Sequence, residues 1–187
     1  MNAYILLAKS AVENYIKENK TINPAKDLPK DLLEKKAGVF VTIKKSGQLR
    51  GCIGTYLPAK ENIAKEIIAN AIAAAAKDYR FPPIQKNDLL FLSYEVYILS
   101  KPKPVKNIKD LDPKKYGLII KSQPSVFSQK AKTALDSRLY SKTGLLLPDL
   151  EGIDTTEQQI SIACQKGGID PVKENILIYR FSAKRYE

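Results

Sequence analysis

Apolar and polar positions alternate along this chain with two different periods, and the switches between them predict its elements. In "NAYILLAKSAVENYIKENK", Tyr4, Leu7, Ala8, Ala11, Tyr15 and Ile16 recur at three- and four-residue steps, the period of an amphipathic helix, with Asn2 as its cap. "AGVFVTIKKSGQLRGCIGT" alternates instead, and predicts two strands joined at Ser46-Gly47. Helical spacing returns with Ile63, Ile67, Ala71 and Ala75, which predict a helix over about 59–76 with Pro58 near its first position. "RFPPI" stops it, because the residue before a proline avoids helical geometry and prolines donate no backbone bond.

Further along, "DLLFLSYEVYILS" reads as a long strand, and "KYGLIIKS" and "TGLLLPDL" as short ones. A last helix spans "DTTEQQISIACQKGG", with Asp154 as cap, Glu157 three residues on, and Gly167-Gly168 as its stop. "NILIYRFSAKRYE" predicts a closing strand. Hairpins and helices mix without a regular strand–helix–strand repeat, so the fold class is α+β rather than a doubly wound sheet.

Within the second strand, residues two apart share a face, so Arg50, Cys52 and Gly54 point one way and Gly51, Ile53 and Thr55 the other. Glycines weaken a strand and mark places where something approaches the backbone closely. Two readings stand for this stretch. Cys52 is a small buried hydrophobe with Arg50 paired to an internal carboxylate such as Asp78 or Glu95, or Arg50 lowers the pKa of a Cys52 thiol that acts as nucleophile or redox group.

Composition narrows the chemistry. The chain has 187 residues, 44% of them hydrophobic, enough for a sizeable core. Histidine is absent and cysteine occurs twice, at 52 and 164. The usual zinc ligand sets cannot be assembled, so no metal site and no cofactor are expected. Pairs of histidine with serine or cysteine are excluded as well, which leaves Asp, Glu, Lys, Tyr or Cys as acid or base. Cys164 lies on an apolar helix face and reads as core, with no reason for a disulfide to Cys52.

The formal charge of +11 raises the question of nucleic acid, but the lysines are scattered in ones and twos among acids and prolines, so a solvated surface is expected before a phosphate-binding stripe. No apolar run is long enough to span a membrane, and the start lacks the pattern of a secretory signal. A soluble, cytoplasmic protein is expected. At the stop of the alanine-rich helix, Asp78 and Arg80 suit an ion pair closing the turn, or Arg80 approaches the same site as Arg50 and reads a carboxylate or phosphate. Glu95 shares a strand face with Ser93 and Tyr97 and is expected to pair with a nearby cation, or, beside Arg50, to orient that guanidinium or act as a base. Asp149 and Glu151 are weaker candidates.

Several stretches in order, "LRGCIGT", "KDYRFPPI", "LSYEVYILSKP", "LDPKKYGLII", "GLLLPDLEGIDTTEQQISIACQKGGI" and the closing "IYRF", resemble the AMMECR family, whose prokaryotic members are termed AmmeMemoRadiSam system protein A. The resemblance covers nearly the whole chain. It implies one α+β domain of two subdomains, each built on an antiparallel sheet with helices, the larger holding both termini, with a cleft between them. It implies that the strand carrying Leu49, Arg50, Gly51, Cys52, Ile53 and Gly54 faces that cleft, its glycines keeping the wall low.

About twenty residues, 122–141, stand out as an insertion relative to the family. The resemblance supplies no reaction. The family's association with Memo-like and radical-SAM proteins implies a part in a modification pathway acting on a macromolecule. Binding of a peptide, protein or other macromolecular substrate in that cleft, with Arg50 and Arg80 reading acidic groups, is therefore the leading expectation. A thiol enzyme using Cys52 comes second and RNA binding third.

Overall fold

A computed structural model describes residues 2–122 and 142–187; the expected insertion, apart from Ser122, lies outside the described residues. In chain order the elements are α1 (Ala3–Glu18), α2 (Lys30–Glu34), β1 (Val39–Lys45), β2 (Gln48–Thr55), α3 (Ile63–Ala76), β3 (Leu92–Leu99), β4 (Lys103–Pro104), β5 (Gly117–Ser122), β6 (Thr143–Leu146), α4 (Thr156–Gly167), β7 (Ile176–Phe181) and β8 (Ala183–Tyr186). Short 3-10 turns at Lys86–Phe91 and Ile108–Asp110 join them. The class is α+β, with two four-stranded sheets, β2-β1-β3-β8 and β4-β7-β5-β6, whose recorded pairings are antiparallel. The chain divides into two compact units, Met1–Lys101 with Lys184–Glu187, and Pro102–Ala183.

In the first unit, α1 begins where the Asn2 side chain accepts the Tyr4 N–H at 3.0 Å and ends at Asn19, whose φ of 55° turns the chain out of the helix. The helix α3 starts at Ile63, not near 59, because Asn62 caps it and the buried Glu66 carboxylate accepts the Ala59 and Lys60 N–H groups at 2.8 and 2.7 Å. Those bonds hold the preceding residues in a bend. Val39, Val41 and Ile43 of β1 are fully buried, and with Tyr94 and Val96 of β3 they pack against α1 and α3. All the core-forming helices of this unit thus use one face of its sheet.

The hairpin β1–β2 turns through Ser46 and Gly47, with φ of 50° and 80°, the paired positive angles of a tight two-residue turn. The predicted closing strand is two. β7 belongs to the second sheet, whereas β8 joins the first beside β3, and Tyr186 stacks on Tyr4 with ring centroids 3.9 Å apart. The second unit packs Ile120, Leu146, Ala163, Cys164 and Ile169 into its own core. Its helix α4 is capped by Thr155 and Gln158 in a capping box, one residue later than the expected Asp154 and Glu157, and stops at Gly168 as expected.

Candidate functional site

Strand register sorts the first sheet into two faces. Gly51, Ile53 and Thr55 oppose Ile43, Val41 and Val39, so they lie on the face that the helices cover. Cys52 and Gly54 oppose Thr42 and Phe40, and on β3 Glu95 and Tyr97 oppose the same two residues. Cys52, Thr42 and Glu95 therefore form one row across the opposite face, free of helices among the described residues, with Gly54, Phe40 and Tyr97 as the next.

The thiol of Cys52 is half-buried and accepts a hydrogen bond from the Thr42 hydroxyl at 3.2 Å. Its strand is at the sheet edge, and there the turn after α3 substitutes for a missing neighbour. Asp78 Oδ2 accepts the Cys52 N–H at 2.8 Å, and Arg80 Nη2 donates to the Cys52 carbonyl at 3.3 Å. The two side chains are locked together, Arg80 Nε to Asp78 Oδ1 at 2.9 Å and Nη2 to Oδ2 at 2.6 Å. The Arg80 bonds hold the Asp78 carboxyl down at about 2; burial opposes the shift, and the N–H groups of Cys52 and Arg80 reinforce it. In the same way Asp78 raises Arg80, against the opposing effect of burial.

Glu95, at the β3 end of the row, gathers most of its polar contacts. Lys44 Nζ donates to its Oε1 at 2.6 Å, Arg185 Nη2 to the same oxygen at 2.7 Å, and the Tyr97 hydroxyl to Oε2 at 3.0 Å. Burial pushes this carboxyl up, but the bonds from Lys44 and Tyr97 and the charge of Arg185 outweigh it and leave it low. Burial, followed by the charge of Glu95, pushes the Tyr97 hydroxyl well above its ordinary range. Lys44 and Tyr97 were readable as alternating polar positions on their strands; Arg185 arrives from 90 residues away and leaves no local signal.

Neither Asp78 nor Glu95 pairs with Arg50. Instead the register shifts between Ile43 and Lys44, so that Gly51 opposes Ile43, Leu49 opposes Lys44, and Arg50 is the extra residue of a bulge. Strict alternation fails there, and Leu49 takes its place opposite a residue of the helix-free face. Among the described residues Arg50 makes no hydrogen bond or ion pair; its charge helps hold the Asp88 carboxyl low, after the bonds from Lys45 and the Gln85 N–H.

Both glycines are explained by the chain itself. A Cβ at Gly51 would stand 2.1 Å from the Ala74 carbonyl oxygen, so this residue lets α3 lie against β2. A Cβ at Gly54 would stand 2.2 Å from the Phe40 ring and 2.5 Å from the Val39 carbonyl. The space beside Gly54 is thus filled by Phe40. Cys164 is buried in the second core, and burial raises its thiol pKa. Asp149 and Glu151 lie at a turn of the second unit, where the Asp149 N–H donates to the Pro113 carbonyl at 2.8 Å. Among the described residues no cluster of three or more acidic or cysteine side chains could hold a metal ion, and no helix is long and apolar enough to cross a membrane.

The chain belongs to the AMMECR1 family, whose sequence model matches residues 5–186. A Thermotoga maritima protein is 45% identical over 185 residues, covering 98% of this chain and 97% of that protein. A Clostridium acetobutylicum protein is 37% identical over 98% of this chain, which spans 36% of that longer protein. The crystal structure of an uncharacterized protein from Pyrococcus horikoshii superposes with a TM-score of 0.81 at 30% identity, covering 97% of this chain and 88% of that one.

Proposed function

We propose that this protein binds a peptide or protein segment on the helix-free face of its first sheet, from Leu49 past Cys52 and Thr42 to Glu95. The observation that carries the reading is the fixed polar row: a buried carboxylate held by Lys44, Arg185 and Tyr97, beside a Thr42–Cys52 pair whose strand edge is pinned by Asp78 and Arg80. Side chains fixed in this way present hydrogen-bonding groups without a large ordering cost on association. Exposed Ser93 lies on the same face, opposite Lys44.

The test is selection of a displayed random peptide library on the full chain, followed by binding measurements on Ser93→Trp and, as a control on α1, Lys17→Trp. The reading expects Ser93→Trp to weaken the selected peptides by about tenfold or more, roughly 1.4 kcal/mol, and Lys17→Trp to leave them unchanged. Peptides indifferent to Ser93→Trp, or no selected peptides, would contradict it.

A second reading, Cys52 as a reactive thiolate, is favoured by the Thr42 hydroxyl donated to its sulfur and by the Arg80 guanidinium that donates to its carbonyl. Alkylation by iodoacetamide tests it: the thiolate forms an S–C bond as the C–I bond breaks and iodide leaves. Labelling at neutral pH faster than that of free cysteine supports this reading, and slower labelling opposes it.

A further inference from the structure

The hairpin end of the same face carries a feature that the polar row does not use. The bulge puts Leu49 opposite Lys44 and adds Arg50 as an unopposed residue, although Cys52 keeps its place opposite Thr42. Bulges re-aim side chains at the cost of ladder bonds. What this one delivers is an exposed leucine and an arginine side by side. Leu49 is 44% exposed, and Phe91, whose carbonyl accepts the Ser46 N–H at 3.1 Å just before the start of β3, is 57% exposed. Two large apolar side chains thus flank the end of β1, one on each neighbouring strand line.

The charges at this corner are unequal in their commitments. Lys44 is held by Glu95 and Lys45 by Asp88, each at 2.6 Å, whereas Arg50 has no hydrogen bond or ion pair among the described residues. A phosphate backbone is read by several uncommitted cations in a row, which this corner lacks. A second copy of the chain docked with its two-fold axis at this corner would bring Arg50 against Arg50, a like-charge encounter. A guanidinium that makes no hydrogen bond or ion pair among the described residues, next in sequence to exposed Leu49 and across the end of β1 from exposed Phe91, complements a single carboxylate in fork geometry with an apolar neighbour.

We infer that Leu49, Arg50 and Phe91 dock a linear segment of a partner protein in which an acidic residue stands beside a large apolar or aromatic one. This specifies the ligand of the binding face and rests on that reading. The guanidinium takes the carboxylate, and Leu49 and Phe91 cover the apolar side chain.

The peptide selection on the full chain tests it through the composition of the winners and three variants, Arg50→Gln, Leu49→Ser and Phe91→Ser, each checked for native circular dichroism. The expected result is enrichment of Asp or Glu next to Leu, Phe, Tyr or Trp, with affinity falling about tenfold or more in Arg50→Gln and in at least one apolar variant. Winners without an acid, or winners that bind Arg50→Gln undiminished, overturn the inference; if Ser93→Trp still blocks them, the binding face stands without this ligand assignment. Oligouridylate binding that depends on Arg50 in the absence of any selected peptide, or a dimer abolished by Leu49→Ser, also overturns it. Failure to select any peptide defeats both readings.

Discussion

Asp78 stands in for a strand beside Cys52. Its carboxylate accepts the Cys52 N–H at 2.8 Å on the outer edge of β2, while the arginine two residues on donates to the Cys52 carbonyl. An edge strand with unpaired backbone groups invites pairing with another chain, and this clamp closes the edge at the residue that carries the thiol. The motif that reads as helix punctuation is therefore also the support of the site strand.

Replacing Asp78 by Ala removes the buried acceptor of the Cys52 N–H and leaves Arg80 without its carboxylate. Urea unfolding is expected to show a loss of about 2–3 kcal/mol. Arg80→Gln should cost less, about 1 kcal/mol, because water reaches that end of the pair. A change in Asp78→Ala within about 0.5 kcal/mol of zero would remove the clamp from the account.

Acid stability follows from the same carboxyl. Its folded pKa of about 2 lies below the ordinary 3.8, so the folded state binds the proton less readily than the unfolded chain. The stabilisation is complete above the unfolded value and is lost as pH falls from near 4 through about 2. Its size is roughly 2 kcal/mol. Stability measured against pH should therefore decline more steeply in this window for the native chain than for Asp78→Asn, whose curve is flatter by that amount. Parallel curves would contradict the assignment.

Much of the site strand was legible because a period of two needs only neighbours in sequence. Cys52 with Gly54, and Glu95 with Ser93 and Tyr97, share faces as alternation requires. What alternation could not supply was set by partners distant in the chain. The bulge at Arg50 exists in relation to β1, Arg185 meets Glu95 only because β8 joins the first sheet, and the late start of α3 reflects bonds to the buried Glu66. The glycines were recognisable as points of close approach, but the approaching atoms, an alanine carbonyl and a phenylalanine ring, belong to other elements.

Gly51 and Gly47 make a controlled comparison. A methyl group at 51 meets the Ala74 carbonyl oxygen at 2.1 Å, a backbone atom that cannot swing aside, whereas one at 47 meets nothing within 4 Å and suffers only from a φ of 80°. Gly51→Ala is expected to cost about 3 kcal/mol or more in thermal or urea unfolding. Gly47→Ala should cost about 1 kcal/mol. Equal losses would mean that α3 does not press on β2.

Glu95→Gln leaves Lys44 and Arg185 facing one another without the charge that joins them. A loss of about 1–2 kcal/mol is expected at low salt. Added sodium chloride should recover part of it by screening the two cations, with no comparable gain in the native chain. A variant indifferent to salt would show that these cations do not act on each other.

The most direct test of the binding face uses the Cys52 thiol as its reporter. Iodoacetamide labelling of Cys52, resolved from Cys164 by peptide mass analysis, is measured with and without a saturating selected peptide. If that face holds the peptide, alkylation of Cys52 slows by about tenfold or more. An unchanged rate, or a thiol that never labels in the folded free protein, would contradict the claim.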